Sequence, residues 1–159
     1  MKNIYLFELS DVFANQVYLK DWFYARDDAK NIIDKIENPD ILLFSCFMWN
    51  WNLNCEIAKT IKQNYPSCKI MFGGQHQPLA DRAKGFFNEH PYVDVLIHSE
   101  GEETVKELLY EKPYEEIKGI TYNVNNKEVR NPPRVRLEGI HDNPSPFLDG
   151  SFDWVVEKN

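Results

Sequence analysis

Four times in succession this chain runs through a short, almost wholly apolar stretch and then through a segment of helical spacing. "NIYLFEL" at 3–9 is followed by "DDAKNIIDKIENPD" at 27–40, and "ILLFSCF" at 41–47 by "NLNCEIAKTIKQNYP" at 52–66. "CKIMFGG" at 68–74 is followed by "LADRAKGFFNEHP" at 79–91, and a strand through Ile97 in "VDVLIHSEGEE" by "EETVKELLYEK" at 102–112. Continuous apolar runs suit strands buried on both faces. The intervening segments place Ile32, Ile33 and Ile36, and then Leu53, Ile57, Ala58 and Ile61, on one helical side, with Pro39 and Pro66 at their ends. Strand–helix alternation means parallel strands joined by crossover helices, so the expected class is α/β, a doubly wound, flavodoxin-like (Rossmann-like) sheet.

The rhythm is irregular at both ends. Between the first strand and the helix at 27 stands only "SDVFANQVYLKDWFYAR", Ser10 to Arg26, which is short for a complete crossover. Either the first helix is very short or missing, or "QVYLKDWFYA" has an unusual role. After Pro113, "GITYNV" and "KEVR" flank Asn125-Asn126, a pair that tolerates positive φ, and a β-hairpin is expected. From Asn131 to Asn159 there are four prolines and no periodicity, which reads as an extended tail or linker. The expected organisation is an α/β domain over 1–112, a hairpin extension over 113–130 and a proline-containing linker over 131–159 that leads to something further.

Composition excludes several classes. A length of 159 residues, 43% of them hydrophobic, is enough for one buried core. The net charge of -7 argues against nucleic acid as a partner, and Arg130, Arg134 and Arg136 are too sparse a basic cluster to reverse that. No apolar run approaches the roughly 20 residues that span a bilayer, so no membrane partner is expected. The N-terminus lacks a small-residue cleavage site, and a cytoplasmic location is the expectation. Cys46, Cys55 and Cys68 are too widely spaced for a metal box or a disulfide framework, and no metal ligands are assigned.

Ligands of open parallel sheets bind at the carboxyl ends of the strands. Four loops lie there: "LSDVFANQ", "SCFMWNWN", "GGQHQP" and "SEGEE". Gly73 and Gly74 either bring backbone close to a ligand or serve the turn alone. The pair is not a GxGxxG fingerprint, and the chain has no GxxxxGK[ST] phosphate loop. His76 is a ligand or acid–base candidate, or a plain loop histidine. Ser45 and Cys46 end a strand; Cys46 is a small buried residue, or a nucleophile if His76 meets it. Trp49 and Trp51 either cap the sheet as core or cover a flat, partly apolar ligand or a partner domain. Glu100, Glu102 and Glu103 stand at a helix start, where acids favour the dipole.

In order, "PDILLFSCFMWNWN", "KIMFGGQHQP", "VDVLIHSEGEETVKELL", "IKGITYNVNNKEVRNPP" and "NPSPFLDG" resemble the N-terminal cobalamin-binding domain of cobalamin-dependent radical S-adenosylmethionine enzymes. The resemblance covers about Pro39 to Gly150 and lies in the sequence of motifs more than in any one of them. It implies a flavodoxin-like domain with cobalamin across the carboxyl edge of the sheet. It gives Ser45, Cys46, Trp49, Gly73, Gly74, Gln75, His76, Glu100 and Gly101 as cofactor-binding residues, with no catalytic residue in this chain. It also implies a C-terminal radical domain of the same polypeptide, which would hold the iron–sulfur cluster and S-adenosylmethionine.

Two departures qualify it. The CxxxCxxC of a radical domain is absent, so this chain by itself is not expected to cleave S-adenosylmethionine. "SDVFAN" also lacks the DxHxxG histidine, which argues against histidine ligation of cobalt from below. Three readings follow: a cobalamin-binding module serving an attached radical enzyme; a degenerate domain that binds no cofactor and packs against its catalytic barrel; and a stand-alone enzyme using Cys46 and His76.

Overall fold

The structure is a computed structural model that describes residues 2–5, 17–19, 27–78, 82–125 and 127–135. Its strands are β1 (Lys2–Tyr5), β2 (Val17–Leu19), β3 (Ile41–Ser45), β4 (Lys69–Gly73), β5 (Val95–Ile97), β6 (Ile120–Val124) and β7 (Lys127–Arg130). They form one seven-stranded sheet in the order β2-β1-β3-β4-β5-β6-β7. The first five strands are parallel and the last two antiparallel. The 2-1-3-4-5 order is that of a flavodoxin-like doubly wound sheet, as expected.

The pleat sorts the apolar runs onto two faces. Leu42, Ile70, Phe72 and Leu96 pack with residues of the helices α1 (Ala29–Ile33), α2 (Trp51–Asn64) and α3 (Phe86–Glu89). Ile41, Met71, Val95 and Ile97 pack on the other side with Leu108 and Leu109 of α4 (Glu102–Leu109) and with Ile120 and Tyr122. Alternate residues of one strand thus feed opposite cores, which is why these strands read as unbroken apolar runs.

Part of the segment that looked too short for a crossover is itself an edge strand: Val17–Leu19 pairs in parallel with β1. The loop "LSDVFANQ" lies outside the described residues. Two helices are shorter than their periodicity suggests. The segment at 27–40 is helical only over Ala29–Ile33, because Asp28 is extended and the chain turns at Asn38, whose φ is 46°. Ile36 is still buried, so the periodicity located the apolar side although not the helix length. In the segment at 79–91 the described helix begins only after Gly85, which takes a left-handed φ of 83°.

The hairpin forms as expected, with Val124 paired to Lys127 and Asn125 at a φ of 52°. The first residues of the expected tail lie against the domain. The buried Asn131 donates its side-chain amide to the carbonyls of Tyr114 (2.5 Å) and Ile117 (2.7 Å). Arg134 donates to Thr104 Oγ1 at 3.0 Å and pairs with Glu107. Residues 136–159, the rest of that tail, lie outside the described residues.

Candidate functional site

The carboxyl ends of β3, β4 and β5 bring most of the candidate residues onto one edge. The β3–α2 loop is braced from within. Asn50 accepts the Phe47 N–H on Oδ1 (2.7 Å) and donates Nδ2 to the Ser45 carbonyl (2.9 Å). A loop held this way turns Met48 and Trp49 outward, 76% and 71% exposed. Trp49 stacks on Phe47 with ring centroids 4.7 Å apart and planes 5° from parallel. A flat apolar surface therefore stands in solvent at the sheet edge, where a lone domain gains nothing from it. Trp51, in contrast, is half-buried, edge-on to Phe72, Phe86, His76 and His90.

Cys46 belongs to the core. It is fully buried, and its Sγ lies 3.6 Å from Asn54 Nδ2. Burial pushes its thiol pKa up to about 12. Its backbone is also engaged: the Cys46 N–H donates to Gly73 O (2.7 Å), and Cys46 O accepts from the His76 N–H (2.9 Å). A thiol held neutral and enclosed is not a nucleophile. His76 is exposed, its ring edge-on to Trp51 with centroids 5.3 Å apart. The structure gives the pair no shared chemistry, and the stand-alone enzyme reading fails on this point.

The two adjacent glycines differ in kind. At Gly74 φ is 92°, and a Cβ would stand 2.7 Å from both N and O of Cys46. The fold itself excludes a side chain there, because β3 and β4 remain hydrogen-bonded beyond their last strand residues. At Gly73 a Cβ would make only ordinary contacts, 3.7 Å to Ile97 Cβ and 3.9 Å to Ile97 O. No requirement of local geometry explains that glycine. Ser45 pairs with Gly73 in register, and Gly101, at the start of α4, lies across Ile97, where a Cβ would come within 3.3 Å of Cγ2. Gly73 and Gly101 thus both lie against Ile97 at the end of β5. Glu100 stands next to Gly101, half-buried, and Gln75 is exposed at the head of the "QHQP" stretch. Glu102 and Glu103 occupy the first turn of α4, where the helix dipole favours them.

Two polar residues at this edge were not picked out by the sequence. Gln77 is 6% exposed; its Nε2 donates to Ile97 O, and its Oε1 is buried with no hydrogen-bond partner among the described residues. His98 follows β5, with Nε2 2.8 Å from Thr121 Oγ1; burial first, and Arg130 second, lower its pKa to about 4. Neither was visible in advance, since a polar residue after a strand is ordinarily solvated. Among the described residues no group of three His, Cys, Asp or Glu side chains is placed to hold a metal ion, and no helix is long and apolar enough to cross a membrane.

No family model matches the sequence. The chain is 38% identical over 133 residues to the cobalamin-dependent radical SAM methyltransferase TokK of Streptomyces tokunonensis, which covers 80% of this chain and 19% of that protein. It is 36% identical over 135 residues to the 2-(S-pantetheinyl)-carbapenam-3-carboxylate methyltransferase of Streptantibioticus cattleyicolor, 82% of this chain and 20% of that one. An uncharacterized methyltransferase of Pyrococcus horikoshii is 29% identical over 129 residues, 77% of this chain and 27% of its own. The chain spans about a fifth of the length of these first two relatives. It is homologous to the N-terminal part of cobalamin-dependent radical S-adenosylmethionine methyltransferases.

Proposed function

We propose that this chain is the cobalamin-binding module of a radical S-adenosylmethionine methyltransferase, with the cofactor at the carboxyl ends of β3, β4 and β5. Gly73 carries the reading: it is a position in the centre of that edge where a Cβ would make only ordinary contacts and yet none is present. The surroundings fit a broad, flat, mostly apolar group with polar substituents. Ser45 and Gly101 keep the floor low, the Phe47–Trp49 stack offers a flat wall, and Gln75 and His76 stand at the rim. The backbone of Cys46 and Gly74 forms a rigid support for that floor and does not itself contact the ligand.

When bound, cobalamin supplies cobalt-centred methyl-transfer chemistry; this chain positions it and keeps water from one side. The iron–sulfur cluster and S-adenosylmethionine belong, in this reading, to a radical domain elsewhere in the same polypeptide. The test is a titration of the full polypeptide with hydroxocobalamin, followed by visible absorbance after desalting. Corrin absorbance retained by the wild type and lost in Gly73→Val supports the reading; no retention by the wild type overturns it.

A second reading, a domain that binds no cofactor and packs against its catalytic barrel, draws on the exposure of Met48 and Trp49. It expects those residues to become protected in the full polypeptide whether or not cobalamin is present. The first expects that protection to depend on cobalamin.

A further inference from the structure

The loop "GGQHQP" places three polar side chains after its glycines, and the two at the surface, Gln75 and His76, attract attention first. Gln77 is the one turned inward. Its Nε2 donates to Ile97 O, beyond the last β4–β5 pair, Phe72 with Leu96. The side chain therefore supplies a donor where β4 leaves the sheet at Gly74. That bond fixes the carboxamide's orientation, since turning it over would set Oε1 against the Ile97 carbonyl. The buried Oε1 is consequently the atom left without a donor. An acceptor in that condition destabilises the domain unless something meets it.

Gly73 lies beside it: the Cβ that Gly73 lacks would stand 3.9 Å from the same Ile97 O. The glycine without a side chain and the unmet acceptor thus meet at one carbonyl. From this geometry we infer that Gln77 is a ligand-binding residue whose Oε1 accepts a hydrogen bond from a primary-amide N–H of the bound molecule. The inference rests on the cobalamin reading, since the edge of a corrin carries carboxamide side chains. It identifies which residue of the loop reads them. Nε2 holds the strand end, and Oε1 meets the ligand.

The test uses the full polypeptide and equilibrium titration with hydroxocobalamin, with melting temperature measured in parallel. Gln77→Met keeps the length and removes both polar atoms; it is expected to weaken binding about tenfold or more. Gln77→Glu, protonated in so buried a site, retains an O–H for Ile97 O and a carbonyl acceptor, and is expected to bind within about threefold of wild type. Wild-type affinity in Gln77→Met, or equal weakening in both variants, overturns the inference while leaving the cobalamin reading intact. A wild type that binds no cobalamin overturns both. If Gln77→Met does not fold, the wild type is titrated with a cobalamin whose edge amides are N,N-dimethylated. A loss of about tenfold supports the inference and unchanged affinity overturns it.

Discussion

Two neighbouring strand ends on one sheet are built in opposite ways. Where β3 meets β4, the chain is closed: the Cys46 N–H donates to Gly73 O, the His76 N–H donates back to Cys46 O, and Gly74 lies too close to Cys46 for any side chain. Where β4 meets β5, the chain is less constrained: a Cβ at Gly73 would make only ordinary contacts, and the Gln77 oxygen is unpaired. A Gly-Gly pair that reads as one motif therefore divides into a glycine that the fold requires and one that local geometry does not require.

Substitutions at the two glycines should separate most. Gly74→Ala brings a methyl to 2.7 Å from backbone atoms at a left-handed φ of 92°. Strain and overpacking together should cost roughly 2–6 kcal/mol in chemical denaturation. A variant as stable as wild type would show that the closed junction is not what demands Gly74.

At the opposite, amino-terminal end of β5, Asp94 takes Lys62 at 2.8 Å and also accepts the Ile70 N–H at 2.7 Å. Asp94→Ala should destabilise the domain by about 1–3 kcal/mol, since it leaves a partly enclosed ammonium and an amide without their partner. It should leave hydroxocobalamin affinity unchanged. An equal loss of affinity would mean that binding follows general stability and not the carboxyl edge.

Gly73→Ala should be neutral or gain up to about 1 kcal/mol, because alanine fits the space and restricts the unfolded chain. A large loss of stability there would erase the distinction between the two glycines.

Much of the fold was legible because the two-sided burial of a doubly wound sheet writes itself as apolar runs, as in "ILLFS" and "KIMFG". The three-residue strand Val17–Leu19 left no such pattern, and its place comes from pairing with β1. The short helices at Ala29 and Phe86 kept their buried apolar residues, but α1 starts only after the extended Asp28 and stops at Ile33, and α3 starts only after the left-handed Gly85, breaks that local spacing does not encode. The site was legible only as a set of loops. Which residue of Gln75, His76 and Gln77 turns inward depends on the path of the chain after Gly74, and Cys46 is enclosed because β3 and β4 continue to pair past their ends. Those are properties of two strands together, so a motif on either one does not show them.

A pH-dependent effect concerns His98, beside the β4–β5 junction. Its folded pKa of about 4 lies below the ordinary value near 6.5. The unfolded chain therefore binds more protons in that interval, and stability falls as pH drops from about 6.5 toward 4. His98→Gln should flatten that part of a melting-temperature profile, and an unchanged slope would assign it to other groups.

Hydroxocobalamin titration of wild type and Gly73→Val full polypeptides, with melting temperature recorded on the same samples, tests the assignment most directly. Retained corrin absorbance in the wild type, and its loss in a variant that melts within a few degrees of it, is the expected result. Equal retention by both proteins would contradict the placement of cobalamin at the β4–β5 junction.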